Sequence, residues 1–310
     1  MKQKAVLAID PGGSKLAVGL MDKDGNLIGQ TRHKWSSNNQ KEILAQMFAC
    51  ARQTLKGHPA YKIIAAGVTV PGLADPKNGI WLTSALGEIR NLPIVKLIKE
   101  NLGLPAYIEN DGNACALAEK YFGGGRDCQN FLYITLSTGV GGGLILNDKL
   151  YTGHRRLAGE IGAMVVERNI NSDKNGKPGV LQSYACTSGL VRAYLEHDGH
   201  LLNDRSLNGE ILATQADRGE KAALAAFALQ GKSLGYAIAA AATLLDIEKV
   251  ILGGGLSLAF QYIRDALWDT LAKEMYKLPQ DFSVEPTILG YYGGLVAAGT
   301  IALLGAEIIC

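Results

Sequence analysis

Two aspartates and three glycine clusters have the residue types and spacing to handle a phosphate-bearing ligand. Asp10 closes the apolar run Ala5–Ile9 and opens Asp10-Pro11-Gly12-Gly13-Ser14-Lys15. An acid at a strand end can hold Mg2+ through water, since Mg2+ keeps several waters and takes few carboxylates. It also forms turns with no ligand at all. Asp111 stands in Glu109-Asn110-Asp111-Gly112-Asn113, at a strand end and a helix start. It suits an N-cap there, or a general base that accepts a hydroxyl proton in phosphoryl transfer. The second cluster, Ser137-Thr138-Gly139-Val140-Gly141-Gly142, follows the apolar run Phe131–Leu136, and Gly253-Gly254-Gly255 follows Lys249–Leu252. Backbone N–H groups in such turns point at an anion with no Cβ in the way. One glycine turn is ordinary; two in matching settings, with a third cluster, point to a nucleotide. The chain has neither P-loop spacing nor a G-x-G-x-x-G that opens a helix after a strand.

The elements that must position these residues follow from periodicity. Strands are predicted at Ala5–Ile9, Leu16–Met21, Leu27–Thr31, Ile63–Val70 and Ala106–Glu109, with helices at Gln40–Lys56, Val95–Leu102 and Asp111–Phe122. The opening pattern then recurs. Phe131–Leu136, a glycine turn, Gly143–Leu146, a polar hairpin and Leu150–Thr152 repeat the order strand, small-residue turn, strand, hairpin, strand, which suggests two related lobes. Beyond them the pattern predicts helices at Leu181–Leu195, Ala222–Leu245 and Phe260–Lys273, a strand at Lys249–Leu252 and a buried helix within 293–310. The expected division is a first lobe at 1–115, with the last helix packing back on it, and a second lobe at 116–292.

Composition bounds the function. Of 310 residues, 47% are hydrophobic and 19% charged, so the chain can bury a core and is not disordered. A net charge of +2 leaves no excess for phosphate backbones or anionic lipid. Five scattered cysteines without C-x-x-C spacing read as reduced thiols of a cytoplasmic protein. The apolar C-terminal stretch is short for a membrane span. The five histidines lie in polar contexts, and Trp35, Trp81 and Trp268 are too far apart for a nucleic-acid stacking platform.

Asp10-Pro-Gly-Gly-Ser-Lys15, Glu109-Asn-Asp-Gly-Asn-Ala114, Leu136-Ser-Thr-Gly-Val-Gly-Gly-Gly143, Ala158-Gly-Glu-Ile-Gly162 and Gly253-Gly-Gly255 come in that order. Together they resemble the ROK family of sugar kinases and sugar-responsive repressors, within the hexokinase/actin-like ATPase superfamily. The resemblance implies an α/β fold of two ribonuclease H-like lobes, duplicated mixed sheets with flanking helices and a cleft that takes ATP. Asp10, Gly12, Gly13, Ser14 and Lys15 match the first phosphate motif, with Pro11 and Ser14 as variants. Ser137, Thr138, Gly139, Gly141 and Gly142 match the second. Gly253, Gly254 and Gly255 match the nucleoside-side motif. Asp111 matches the catalytic base, Asn110, Asp111 and Glu160 match sugar-contacting positions, and Gly72, after Pro71, matches a loop at the sugar's edge. ATP and Mg2+, the latter held by Asp10 through water, are the implied cofactors. A sugar and a second copy of the chain are the expected partners, with no nucleic acid and no membrane.

Four family positions that usually carry a His and three Cys for zinc are Ala163, Asp173, Asn175 and Val180 here. Alanine and valine cannot ligate, so no structural zinc is expected. The family's His and a later Glu also touch the sugar; Ala163 and Gln182 replace them. A loosely matched loop brings Leu86 to a third sugar position. Three changes in one pocket predict weak use of glucose and a substrate bulkier or less polar at that end. The function expected is transfer of phosphate from ATP to a sugar hydroxyl, the 6-hydroxyl by family resemblance. The alternative is a non-catalytic sugar sensor on the same fold. An actin-like structural ATPase is disfavoured by Asn110-Asp111 and Glu160.

Overall fold

The computed structural model describes residues 2–167, 179–200 and 206–309. The chain divides into two compact units, Met1–Arg126 with Leu289–Cys310, and Asp127–Ile288.

The first unit is built on β1 (Gln3–Pro11), β2 (Lys15–Met21) and β3 (Leu27–Lys34), followed by α1 (Gln40–Gly57) and β4 (Tyr61–Val70). A small antiparallel sheet comes next, β5 (Leu73–Asp75), β6 (Ile80–Thr83) and β7 (Arg90–Leu92). Then follow α2 (Ile94–Leu102), β8 (Ala106–Asn110) and α3 (Asp111–Phe122). The main sheet runs β3-β2-β1-β4-β8. Its first two pairings are antiparallel and the last two parallel. Alternation along β1 sorts its two faces. Leu7 and Ile9 join Ile43 and Met47 of α1 in one buried cluster, while Ala8 faces the other way. A boundary at 115 would cut α3; the division falls after Arg126.

The second unit opens with β9 (Phe131–Leu136), β10 (Val140–Leu146) and β11 (Lys149–Tyr151). Helices α4 (Gln182–Ala185), α5 (Thr187–Glu196), α6 (Gly209–Asp217) and α7 (Lys221–Leu245) follow. Then come β12 (Lys249–Gly253), α8 (Phe260–Glu274) and β13 (Ser283–Pro286). The sheet order is β11-β10-β9-β12-β13. The pairing senses match those of the first sheet. The repeat seen in the opening hairpins is therefore a repeat of the whole five-stranded sheet. α7 packs along α8 and α5, with Phe227, Leu234 and Ile238 fully buried against Ile263 and Leu267. The chain then returns to the first unit as α9 (Gly293–Gly305), whose Leu295 and Ala298 cover Ala8 and Ala17.

Two expectations need correction. The single helix predicted over Leu181–Leu195 is broken at Cys186, whose backbone is extended (φ −87°, ψ 171°). The physical reason is competition for Thr187: its N–H and its hydroxyl both donate to Ser137 O, at 2.9 and 3.0 Å. The buried Gln230 amide donates to Ala185 O at 2.8 Å and satisfies the interrupted end. The second glycine turn is also shorter than predicted. Gly141–Gly143 belong to β10, and only Ser137–Gly139 form the turn, closed by Ser137 N–H donating to Gly139 O at 3.0 Å.

Candidate active site

In the first unit, β1 carries Asp10 to the lip of the sheet, paired with Ala17 of β2. Thr69, at the end of β4, donates its hydroxyl to Asp10 Oδ1 at 2.8 Å. Burial pushes the Asp10 carboxyl above the usual carboxylate range; the Thr69 bond and the charge of Arg32 oppose that rise. A Cβ at Gly294, the second residue of α9, would lie 2.5 Å from Asp10 Oδ2, so only glycine fits against that carboxylate. A carboxylate whose charge is penalised by burial suits a cation that restores the balance. Asp10 thus fits an Mg2+ held through water.

The turn after β1 is pinned from outside. Trp35 donates its indole N–H to Gly12 O at 2.9 Å. Gly13, Ser14 and Lys15 are exposed. Lys15 Nζ lies 3.5 Å from the Tyr291 hydroxyl. Arg32 donates to Tyr291 O at 3.0 Å and stacks on its ring, 3.8 Å from the centroid. Arg32, through hydrogen bonding and then its charge, with Lys15 adding to it, pulls the Tyr291 phenol below its ordinary value. Two cations therefore flank the first glycine turn.

Asp111 is not the N-cap of α3. Asn110 takes that place, its Oδ1 accepting the Asn113 N–H at 3.1 Å. Asp111 begins the helix instead, and its Oδ1 accepts the Gly112 N–H at 2.9 Å and Asn110 Nδ2 at 3.0 Å. The same Nδ2 donates to Gly72 O at 2.8 Å. One carboxamide thus ties together Gly72, Asn110 and Asp111, three of the residues singled out from sequence. The Gly72 loop is held in turn by buried Trp81, whose Nε1 donates to Pro71 O at 3.1 Å. Behind them Glu109 accepts from Asn110 N–H and from Asn113 Nδ2. Leu86, expected to add apolar surface to a sugar pocket, is instead buried in the first unit's core.

In the second unit, Gly159-Glu160-Ile161-Gly162 lies directly on β10. A Cβ at Gly142 would meet Gly159 O at 2.6 Å, and one at Gly162 would overlap Val140 O. The glycines of both segments let Glu160 ride on the strand that follows the Ser137–Gly139 turn. The Glu160 side chain reaches solvent, yet the protein around it desolvates the carboxyl and holds it above the usual range. Ala163 is exposed beside it. Gly254, with φ +79°, packs on the backbone of Leu136. β12 pairs with β9 as far as Gly253 opposite Thr135. The third glycine cluster therefore borders the Ser137–Gly139 turn.

Gln182, expected beside the sugar, sends its Oε1 to the Val140 N–H at 3.1 Å. Val180 is buried and bridged to Val165. Neither it nor Ala163 has a donor atom for zinc, and Asp173 and Asn175 lie outside the described residues. Residues that sequence reasoning missed are Thr69, Trp35, Trp81, Arg32, Tyr291, Thr187 and Gly294. Only the tryptophans left a trace in the sequence, since a buried indole N–H requires an acceptor.

Among the described residues no helix is long and apolar enough to cross a membrane. A family model described as the ROK family matches residues 6–304. A glucokinase of Streptomyces coelicolor is 29% identical over 96% of this chain and 96% of that protein. A beta-glucoside kinase of Klebsiella pneumoniae is 30% identical, covering 81% of this chain and 82% of that protein. The crystal structure of a ROK family glucokinase from Streptomyces griseus in complex with glucose and AMPPNP matches with a TM-score of 0.85 at 26% identity, covering 97% of this chain and 100% of that one. The α/β architecture is that of the actin-like ATPases, and with the motifs in place along nearly its whole length the chain belongs to the ROK family.

Proposed function

We propose that this chain is an ATP-dependent sugar kinase with Asp111 as its general base. The observation that carries this is the setting of Asp111. Asn110 relieves it of capping, and two hydrogen bonds to Oδ1 fix the carboxylate beside the Gly72 loop. A sensor needs a sugar-binding carboxylate no more than any other polar group; a kinase needs a fixed base within reach of a hydroxyl. Asp111 takes the proton of a sugar hydroxyl, the 6-hydroxyl in the assignment favoured here, as the oxygen forms its bond to the γ-phosphorus and the bond to ADP breaks.

ATP's phosphates are the ligand assigned to Gly12, Gly13, Ser14 and Lys15 of the first turn and to Ser137, Thr138, Gly139, Gly141 and Gly142 of the second. Gly253–Gly255 are assigned to the nucleoside side. Mg2+, held by Asp10 through water, would neutralise phosphate charge. Gly72, Asn110, Asp111, Glu160 and Ala163 are assigned to the sugar.

Ala163 offers no hydrogen bond, so a sugar hydroxyl placed there loses roughly 1–3 kcal/mol. We assign a sugar substituted at that end. Its similarity to a beta-glucoside kinase supports that assignment, a β-glucoside being a glucose with a substituent on the anomeric oxygen. The test is a panel of free, N-acylated and glycosidically substituted sugars with ATP and Mg2+, read by coupled ADP release. Release above the sugar-free rate supports the kinase, and no sugar-dependent release sinks it. Glucose with the best kcat/KM of the panel would overturn the substrate assignment.

A further inference from the structure

Resting on the assignment of Mg2+ to Asp10, we infer that Tyr291 and Tyr292 hold the Arg32 guanidinium away from Asp10 and so keep that carboxylate for the cation, which makes Tyr291 a positioning residue. Asp10 of β1 pairs with Ala17 of β2, and Ala17 pairs with Arg32 of β3. Residues opposite each other in antiparallel strands share a face. Asp10 and Arg32 therefore stand in one row, on the face where α9 packs on Ala17 through Leu295 and Ala298. Two strand spacings, about 10 Å, separate their backbones, a gap that an aspartate and an arginine side chain can close together. The arginine turns elsewhere. It donates to Tyr291 O at 3.0 Å, and its guanidinium carbon lies 3.8 Å from the centre of the Tyr291 ring and 5.0 Å from that of Tyr292. Both tyrosines sit in the single turn Gly290–Tyr292 that leads into α9, and Gly294, the second residue of α9, lies against Asp10 Oδ2. The segment that closes over the carboxylate is thus the one that holds its ionic partner back.

The consequence is one of charge. Burial raises the Asp10 carboxyl, while the Thr69 bond and the charge of Arg32 oppose that rise. Arg32 acts on Asp10 through space. A bidentate pair would instead satisfy the carboxylate's lone pairs and leave little for a hydrated Mg2+. Leaving a desolvated carboxylate without that pair costs stability, a cost that proteins retain at functional sites. A ring and a carbonyl suit the task, since they hold a guanidinium without adding a charge that would itself draw the metal.

The test titrates AMPPNP by calorimetry into the wild-type protein and its variants, once with Mg2+ in excess and once in EDTA. The ratio of the two affinities is the contribution of the metal. Tyr291→Ala should lower that ratio about three- to tenfold, the worth of the cation–π contact that competes with Asp10 for the arginine. Metal-free affinity should hold within about twofold. Tyr291→Phe keeps both the ring and the carbonyl and should match the wild-type ratio. Arg32→Gln should leave the ratio within about twofold, and combining it with Tyr291→Ala should restore the ratio to that range, which general damage to the turn before α9 would not allow. Tyr291 is exposed, and Tm checks that each variant folds; Tyr291→Leu, which also lacks a π face, carries the same expectation if the alanine variant does not fold. The inference is overturned if Tyr291→Ala keeps the wild-type ratio or if the double variant stays as low as Tyr291→Ala. It is also overturned if Arg32→Gln alone lowers the ratio as far, since Arg32 would then be a phosphate ligand. Those three results leave the Mg2+ assignment standing. No difference between the two titrations in the wild-type protein, or an Asp10→Asn variant with the wild-type ratio, would sink that assignment and this inference with it.

Discussion

Replacing Asp111 with asparagine separates chemistry from structure at the proposed base. Asp111 Oδ1 accepts from Gly112 N–H at 2.9 Å and from Asn110 Nδ2 at 3.0 Å. An asparagine keeps an oxygen on both donors, so the helix start and the tie to Gly72 survive, and only Oδ2 is exchanged for NH2. Turning two charge-assisted bonds into neutral ones costs on the order of 1–2 kcal/mol in total, a change of a few degrees in Tm. The loss in chemistry is larger. Removing a general base lowers kcat about 10²–10⁴-fold, or about 2.7–5.5 kcal/mol of transition-state stabilisation. KM for sugar and ATP should move by less than about threefold, since the hydrogen-bonding frame is retained. The assay is coupled ADP release at saturating sugar and ATP, with Tm as the control for folding. A variant that keeps its Tm and turns over within about tenfold of wild type would refute the base assignment.

Asp10→Asn should raise Tm near pH 8 in the absence of nucleotide while abolishing Mg2+-dependent ATP binding. Burial lifts the folded-state pKa of Asp10 above its unfolded value. The charged form is then a penalty that is full above the folded pKa and vanishes below the unfolded one, so the variant's advantage should shrink as pH falls. Thermal melts across pH check the sign; an advantage that grows in acid would contradict it. Trp35→Phe removes the donor to Gly12 O and should cost about 1–3 kcal/mol of stability, with a higher KM for ATP and little change for sugar; equal rises in both would argue against a role confined to the first turn. Purified protein should hold no stoichiometric zinc and keep its Tm in a strong chelator; elemental analysis giving one zinc per chain would overturn the assignment of Ala163, Asp173, Asn175 and Val180.

The strands and helices around Asp10 and Asp111 were legible because each is long and strongly patterned. Ala5–Ile9 reads as a strand and lies within β1, and Asp111–Phe122 starts and stops at the predicted residues. What stayed hidden has physical causes. β5, β6 and β7 are three or four residues each, too short for alternation to register. β13 ends in proline, which reads against a strand. The break at Cys186 has no local signal, because Thr187 is captured by Ser137, fifty residues upstream. The site shows the same division. Gly72, Asn110 and Asp111 were named from sequence and are joined in the structure by one carboxamide. The contact of Gln182 with Val140 depends on a backbone amide, which every residue type has, so only coordinates reveal it.

The return of α9 to the first unit has a consequence for how the chain is made. Leu295 and Ala298 cover Ala8 and Ala17, and Gly294 meets Asp10, yet about 160 residues of the second unit are synthesised in between. At bacterial or eukaryotic translation speeds that is roughly 10–30 s during which one face of the nascent first sheet has no cover. The second unit is continuous in sequence and can condense as it emerges. The first must wait, and its Asp10 pocket closes last. Under the proposed function, nucleotide binding would then await finished synthesis, and a nascent chain stalled before residue 293 should need a chaperone to shield Ala8 and Ala17 but no help with the helices α7 and α8.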